Sequence, residues 1–133
     1  MTKTAFVSII MRVVLGIIFI FHGVDKFQGI SNVEAWFSSI GIPGVLAYVV
    51  AAIELIGGIL LILGLFTRYV AGLFVIILIG AIITAKLSAG LLGNGQMAGY
   101  ELDLGFILVS LYLVVADRSP FSIDSFIMSK RSV

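Results

Sequence analysis

The sequence predicts an all-α membrane protein: one domain over residues 1–133, folded as an antiparallel bundle of four transmembrane helices. Two observations predict it. The chain is 61% hydrophobic and only 11% charged, with a mean hydropathy of +1.25, whereas a soluble domain carries about a quarter charged residues. The apolar residues also gather into four runs, Ala5–Gly23, Val45–Phe66, Tyr69–Leu87 and Glu101–Ala116, each near the length of about 20 residues that crosses a bilayer.

The first run follows Lys3, yet it is long, contains Arg12, and ends in "HGVDKF" with no small-residue cleavage signal. It reads as a retained span rather than a leader. The next stretch, Gln28–Gly44, carries a cap candidate at Ser31 or Asn32, then Trp36 and Phe37, and Pro43 before the second run. It reads as a short amphipathic segment on the outer surface. "GLFTRY" leaves so little chain between runs two and three that they must be antiparallel neighbours. "AGLLGNGQMAG" (Ala89–Gly99) holds too much glycine for a continuous helix and forms a loop, on the surface or dipping into the protein. In the tail, Phe121, Phe126, Ile127 and Met128 are spaced as in an amphipathic piece with basic residues at its end.

Basic residues orient the chain. Lys3, Arg68, Arg118, Lys130 and Arg131 flank one side of the runs and Lys26 and Lys86 the other. The expectation is a multi-pass protein of the cell membrane with both termini cytoplasmic. A faint tandem repeat is also legible. "RVVLG" and "RYVAG" share R-x-V-x-G, and "ELIGGILL" and "ELDLGFIL" share E-L-x-x-G-x-x-L, in the same order.

Little room remains for a soluble catalytic domain. A net charge of +1 without a basic patch gives no reason to expect a nucleic-acid partner. With no cysteine and one histidine, the chain has no thiol redox pair, no bis-His haem ligation and a poor basis for a metal site. "GNGQMAG" lacks the strand–helix context of a dinucleotide fingerprint.

The charged residues inside the runs are the candidates for function. Ser8, Arg12, Gly16, Phe19, Gly23 and Lys26 fall on one helical stripe, and Ala47, Ala51, Glu54, Gly58 and Leu61 on another. A charge at mid-membrane faces the bundle interior and finds a partner. Counting residues from the cytoplasmic ends places Arg12 and Glu54 at one depth, so they are expected to pair, either as a register-fixing ion pair or as the lining of a polar pocket. His22, Asp25, Lys26, Lys86, Glu101 and Asp103 all lie toward the other membrane face. Of these, His22, Lys26 and Glu101 are expected to line one pocket with Lys86 at its rim, and Asp25 and Asp103 to be solvated helix-end charges. His22 can exchange protons near neutral pH. The ligand-binding candidates are therefore Arg12, His22, Lys26, Glu54, Lys86 and Glu101; no catalytic residue is assigned.

"RVVLGIIFIFHGVDKF", "IELIGGILLILGLFTR" and "ELDLGFILVSLYL", in that order from Arg12 to about Ala116, resemble the DoxX family of small four-span membrane proteins. Its pattern falls on Arg12, Gly16, Gly23, Lys26, Phe27, Glu54, Gly57, Gly58, Thr67, Arg68 and Glu101. The resemblance implies an integral membrane component of an oxidoreductase system, linked to quinone, quinol or catechol-like phenols and to redox stress or detoxification. It assigns no catalytic role to these positions. Quinone is the cofactor or substrate it implies, and a soluble or membrane redox protein the partner beside the lipid bilayer. A flat ring with two oxygens suits a pocket walled by Phe19, Phe21, Phe27, Tyr100 or Tyr112, with Arg12, His22 or Lys26 holding an oxygen and Glu54 or Glu101 taking a proton. Two other readings stay open, a non-enzymatic anchor or scaffold for redox proteins and a small-molecule permease, as does assembly into a homo-oligomer.

Overall fold

The computed structural model describes residues 2–96, 98–116 and 121–131, the last four without their side chains. Arg118 lies outside the described residues, and so do the side chains of Met128, Lys130 and Arg131. Among the described residues the regular elements are helices, beside an isolated bridge between Gly93 and Ala98. Helix α1 runs Lys3–Gln28, α2 Ile30–Ser39, α3 Val45–Leu63, α4 Thr67–Ala81, α5 Glu101–Val115 and α6 Ile123–Arg131. Among the described residues, three helical stretches are long and apolar enough to cross a membrane: Lys3–Gln28, Val45–Leu63 and Thr67–Ala89. The fourth predicted run forms α5, whose 15 residues measure about 22 Å.

Helix α1 starts on a Thr2 side chain that accepts from the Ala5 amide and continues through "HGVDKF", five residues past the predicted end of the first run. Its buried residues are Ser8, Arg12, Leu15, Gly16, Phe19 and Gly23. Those of α3 are Ala47, Ala51, Glu54, Gly57, Gly58 and Leu61. These are the two stripes read from the sequence, with Leu15 and Gly57 added and Lys26 only partly buried, and they face each other. The helices touch backbone to backbone: a Cβ on Gly58 would lie 2.6 Å from the Gly16 carbonyl, and one on Gly23 2.7 Å from the Leu55 amide nitrogen. With Gly16 against Gly58 and Gly23 against Leu55, α1 and α3 run antiparallel.

Helix α2 begins after Gly29 without a side-chain cap, so neither Ser31 nor Asn32 starts it. It buries Phe37 and leaves Trp36 exposed. Helix α3 ends on Gly64, whose left-handed φ of +71° returns its amide to Leu60 and Leu61 carbonyls. Only Leu65 and Phe66 then separate it from α4. Helix α4 packs along α5, and the core is built from Leu15, Phe19, Leu61, Val70, Ala71, Phe74, Leu78, Ile107 and Leu113. Beyond Ala81 the chain widens into a π turn, Ile82–Lys86, and tightens into a 3₁₀ turn, Leu87–Ala89. The glycine-rich loop then turns back through Gly99, so closely packed on the Leu91 carbonyl and the Gly93 amide that no Cβ fits. Its Gly90 and Leu91 carbonyls accept from the Tyr100 and Glu101 amides that open α5.

Candidate functional site

The two ends of the molecule use their charges differently. At the end carrying the α3–α4 turn, Arg12 is 1% exposed and does not meet Glu54. Its Nη1 donates to the Leu61 and Ile62 carbonyls at 3.0 and 3.1 Å, and Nη2 donates to the Phe121 carbonyl at 3.0 Å. The last carbonyls of a helix lack intrahelical donors and carry the negative end of its dipole, so a guanidinium there is held by backbone. The expected Arg12–Glu54 pair fails on register. Both residues lie nine positions inside their helices from this end, but the 26-residue α1 projects well past the 19-residue α3. Arg12 is thereby level with Ile62, about 12 Å along α3 from Glu54.

Asp124 completes this end. Its two carboxylate oxygens accept from the Phe66 and Thr67 amides at 2.9 and 3.1 Å, capping α4, while its own amide donates to the Gly64 carbonyl. Asp124 is also the acidic group that acts on Arg12. Phe66 and Phe121 both adopt a φ of 55°, a costly conformation for a bulky residue, and the Arg12 and Asp124 bonds hold it. Arg12 thus fastens α6 and the α3–α4 turn to α1, a structural role. A carboxylate after Ser122 at a helix start is a signal that could have marked Asp124, but its partners 58 and 57 positions away have none.

At the opposite end, where α1 meets α2, Lys26 Nζ lies 2.9 Å from Glu54 Oε1 and donates to Oε2 at 3.2 Å. The Glu54 side chain is 4% exposed and that of Lys26 27%. A second pair joins Lys86 Nζ to Asp103 Oδ2 at 2.8 Å. The π turn sets this pair up. Phe74 and Leu78 face the core, and Ile82 packs against it. In a regular helix this row of every fourth residue drifts by about 40° per step. The wider turn slows the drift and keeps Lys86 on the same side. Asp103 sits in the first turn of α5, where the helix dipole favours a carboxylate.

His22 lies within electrostatic reach of Glu54, Lys26, Asp25 and Lys86. Its ring meets Phe19 edge-on at 5.9 Å and Phe106 at 6.2 Å; Phe19 in turn stacks on Phe74 at 3.9 Å. Two lysine–carboxylate pairs and an imidazole therefore converge over an aromatic floor. Glu101 is exposed, and Asp103, expected at a solvated helix end, is buried and paired with the partly exposed Lys86. Of the expected aromatic walls, Phe19 touches His22. Phe21 and Phe27 are exposed, while Phe106, by its contact with His22, and Phe74, by its stacking on Phe19, join Phe19. Among the described residues, no three His, Cys, Asp or Glu side chains gather as a metal centre requires.

The DoxX family model matches residues 7–87, which include Arg12, His22, Lys26, Glu54 and Lys86. The chain belongs to the DoxX family. It is 46% identical over 120 residues to a Bacillus subtilis protein named "Putative oxidoreductase CatD", covering 90% of this chain and 86% of that one. It is 31% identical over 127 residues to the Mycobacterium tuberculosis "Uncharacterized membrane protein Rv3486", covering 87% and 78%. An "Uncharacterized protein" of Haemophilus influenzae is 33% identical over 121 residues, covering 86% of each. No solved structure matches. This DoxX protein is a membrane protein, and its family match ends at Leu87, before Asp103 and Phe106.

Proposed function

We propose that this DoxX protein is a four-span component of a membrane oxidoreductase system, and that the His22 cluster holds the ring of a quinone, quinol or related phenol. In this reading α5 is the fourth span, both termini are cytoplasmic in the cell membrane, and the cluster lies in the outer half of the bilayer. The orientation rests on the basic residues around the termini and the α3–α4 turn. The link to detoxification rests on the family resemblance, and the oxidoreductase link also on the name of the Bacillus subtilis relative.

The observation that carries the ligand assignment is the contact of His22 with Phe19 and Phe106, with Phe19 stacked on Phe74, beside two ion pairs. A quinone ring is apolar on its faces and polar at two oxygens. Phe106 and His22 suit the ring, while Lys26 and Lys86 suit an oxygen that gains charge on reduction. Glu54 and Asp103 are acceptors for the protons a quinol releases. A quinone takes up two electrons and two protons to become the quinol, and a redox partner supplies or removes the electrons. Arg12 has no part in this site.

The test is a titration of the protein in lipid nanodiscs with 2,3-dimethoxy-5-methyl-1,4-benzoquinone, which has no tail. His22→Ala should weaken binding about tenfold or more while the helical signal and thermal midpoint stay near wild type. Lys86→Met should weaken it as much in a protein that keeps its helical signal but has a lower thermal midpoint, because Asp103 loses its cation. Equal affinity in wild type and a folded His22→Ala/Lys86→Met double variant removes the ligand assignment and leaves the scaffold reading ahead.

A further inference from the structure

We propose, building on the ring site just described, that it is filled from the bilayer through the seam between α1 and α5, by a quinone carrying an apolar tail. The seam is fixed by the Phe106 ring of α5, which meets Phe19 and His22 of α1 at 5.8 and 6.2 Å. Along α1, Ile18, His22 and Lys26 succeed one another at every fourth position. Along α5, Leu102, Phe106 and Val109 do so at four and three. Each set forms one stripe, so the stripes flank the seam.

His22 is the residue that points to the membrane. It is exposed, although its ring touches two phenylalanines, and among the described residues it makes no hydrogen bond. Its level is deep. Gly23 abuts Leu55, ten residues inside the Val45 start of α3 and so about 15 Å along that helix. The hydrocarbon core is about 30 Å thick. An exposed side chain at that depth on the outside of the molecule meets acyl chains, where an unpartnered polar group is costly and marks a site of use. A ligand that brings an oxygen to His22 from the lipid removes that cost.

The interior toward the Arg12 end is closed. Leu15, Phe19, Leu61 and Phe74 are each no more than 2% exposed, and Arg12 fills the space beyond. Along the seam, by contrast, the stripes turn apolar past His22: Ile18 on α1 and Val109 on α5 are both only partly buried. A ring seated at Phe106 and His22 therefore leaves its tail an apolar track between Ile18 and Val109, in continuity with the bilayer. A small water-soluble ring needs no such track.

The experiment compares two quinones with the same ring, the tail-less 2,3-dimethoxy-5-methyl-1,4-benzoquinone and its 6-decyl derivative. Both are bound to the protein in nanodiscs, with affinities expressed per mole fraction in the lipid. Ile18→Trp fills the track without touching the charged residues. It should weaken the decyl quinone at least tenfold and the tail-less ring by less than twofold. Leu102→Trp, placed one turn above Phe106 where the side chain is 61% exposed, should leave both affinities within twofold, because the tail runs the other way. If Ile18→Trp does not fold, Val109→Phe takes its place with the same expectation. Equal losses for the two quinones, or none for either, overturn the bilayer route while the ring site stands. Failure of both quinones to bind wild type overturns the ring site and this inference together.

Discussion

Breaking the Lys26–Glu54 pair has an asymmetric cost that follows from the two exposures. Lys26→Met leaves the Glu54 carboxylate, 4% exposed, without its cation. Removing one partner of a buried pair costs about 3–5 kcal/mol, and the loss here should be about 3 kcal/mol because Lys26 is itself partly exposed. Glu54→Gln leaves a lysine that is already 27% exposed and has a long apolar stem with which to move its ammonium to water. That loss is about 1–2 kcal/mol. The double variant buries no charge and should lose about 2 kcal/mol, less than the sum by roughly 2 kcal/mol. Unfolding in mixed dodecyl sulfate micelles, followed by circular dichroism, measures all four proteins. Losses that add to within about 0.5 kcal/mol would show that the two side chains act independently and refute the pair. A larger loss in Glu54→Gln than in Lys26→Met would refute the burial argument.

The other expectations concern the frame that holds this site. Arg12→Ala removes three hydrogen bonds from a charged donor and should cost about 3–5 kcal/mol, whereas Glu54→Gln in the same background should add its full separate cost. A shortfall in that sum would restore an Arg12–Glu54 contact. Asp124→Ala should cost about 1–2 kcal/mol as a lost cap and make α6 sensitive to added protease; an unchanged digestion pattern would contradict the lock. Gly58→Ala should be strongly destabilising because its Cβ meets the Gly16 carbonyl and the Ile20 amide nitrogen, at 2.6 and 2.9 Å, while Gly72→Ala meets nothing. Equal thermal midpoints for the two would exclude the close α1–α3 approach. For orientation, a cysteine introduced at position 130 should react with an impermeant maleimide only after cells are opened, and labelling of intact cells would reverse the assignment.

The helical class and the buried stripes of α1 and α3 were legible because a 3.6-residue period in so apolar a chain leaves few other faces for its charges and glycines. What was not legible was depth. A sequence gives each charge a distance from its own helix end, but the offset between helices of 26 and 19 residues decides which charges meet. It moved Glu54 from Arg12 to Lys26. The second pair was hidden for a different reason. No composition signal marks the π turn at Ile82–Lys86, and without it Lys86 and Asp103 are two helix-end charges among several. The tandem motifs equate Arg12 with Arg68 and Glu54 with Glu101, yet the first of each is buried and the second exposed. Phe74 and Phe106 looked like ordinary apolar residues in their runs. Only the stacking of Phe19 on Phe74 and the approach of α5 to α1 turn them into the floor beneath His22.

The most direct measurement of the central assignment is of what the protein carries out of the membrane. Wild-type protein, extracted in mild detergent and transferred to native mass spectrometry with an absorbance spectrum taken beforehand, should retain a quinone-type molecule at up to one per chain. His22→Ala/Lys86→Met, purified in the same way and equally folded, should retain at least tenfold less. A bare wild-type chain that also fails to take up added quinone, or equal retention by the double variant, would contradict a ligand site at His22.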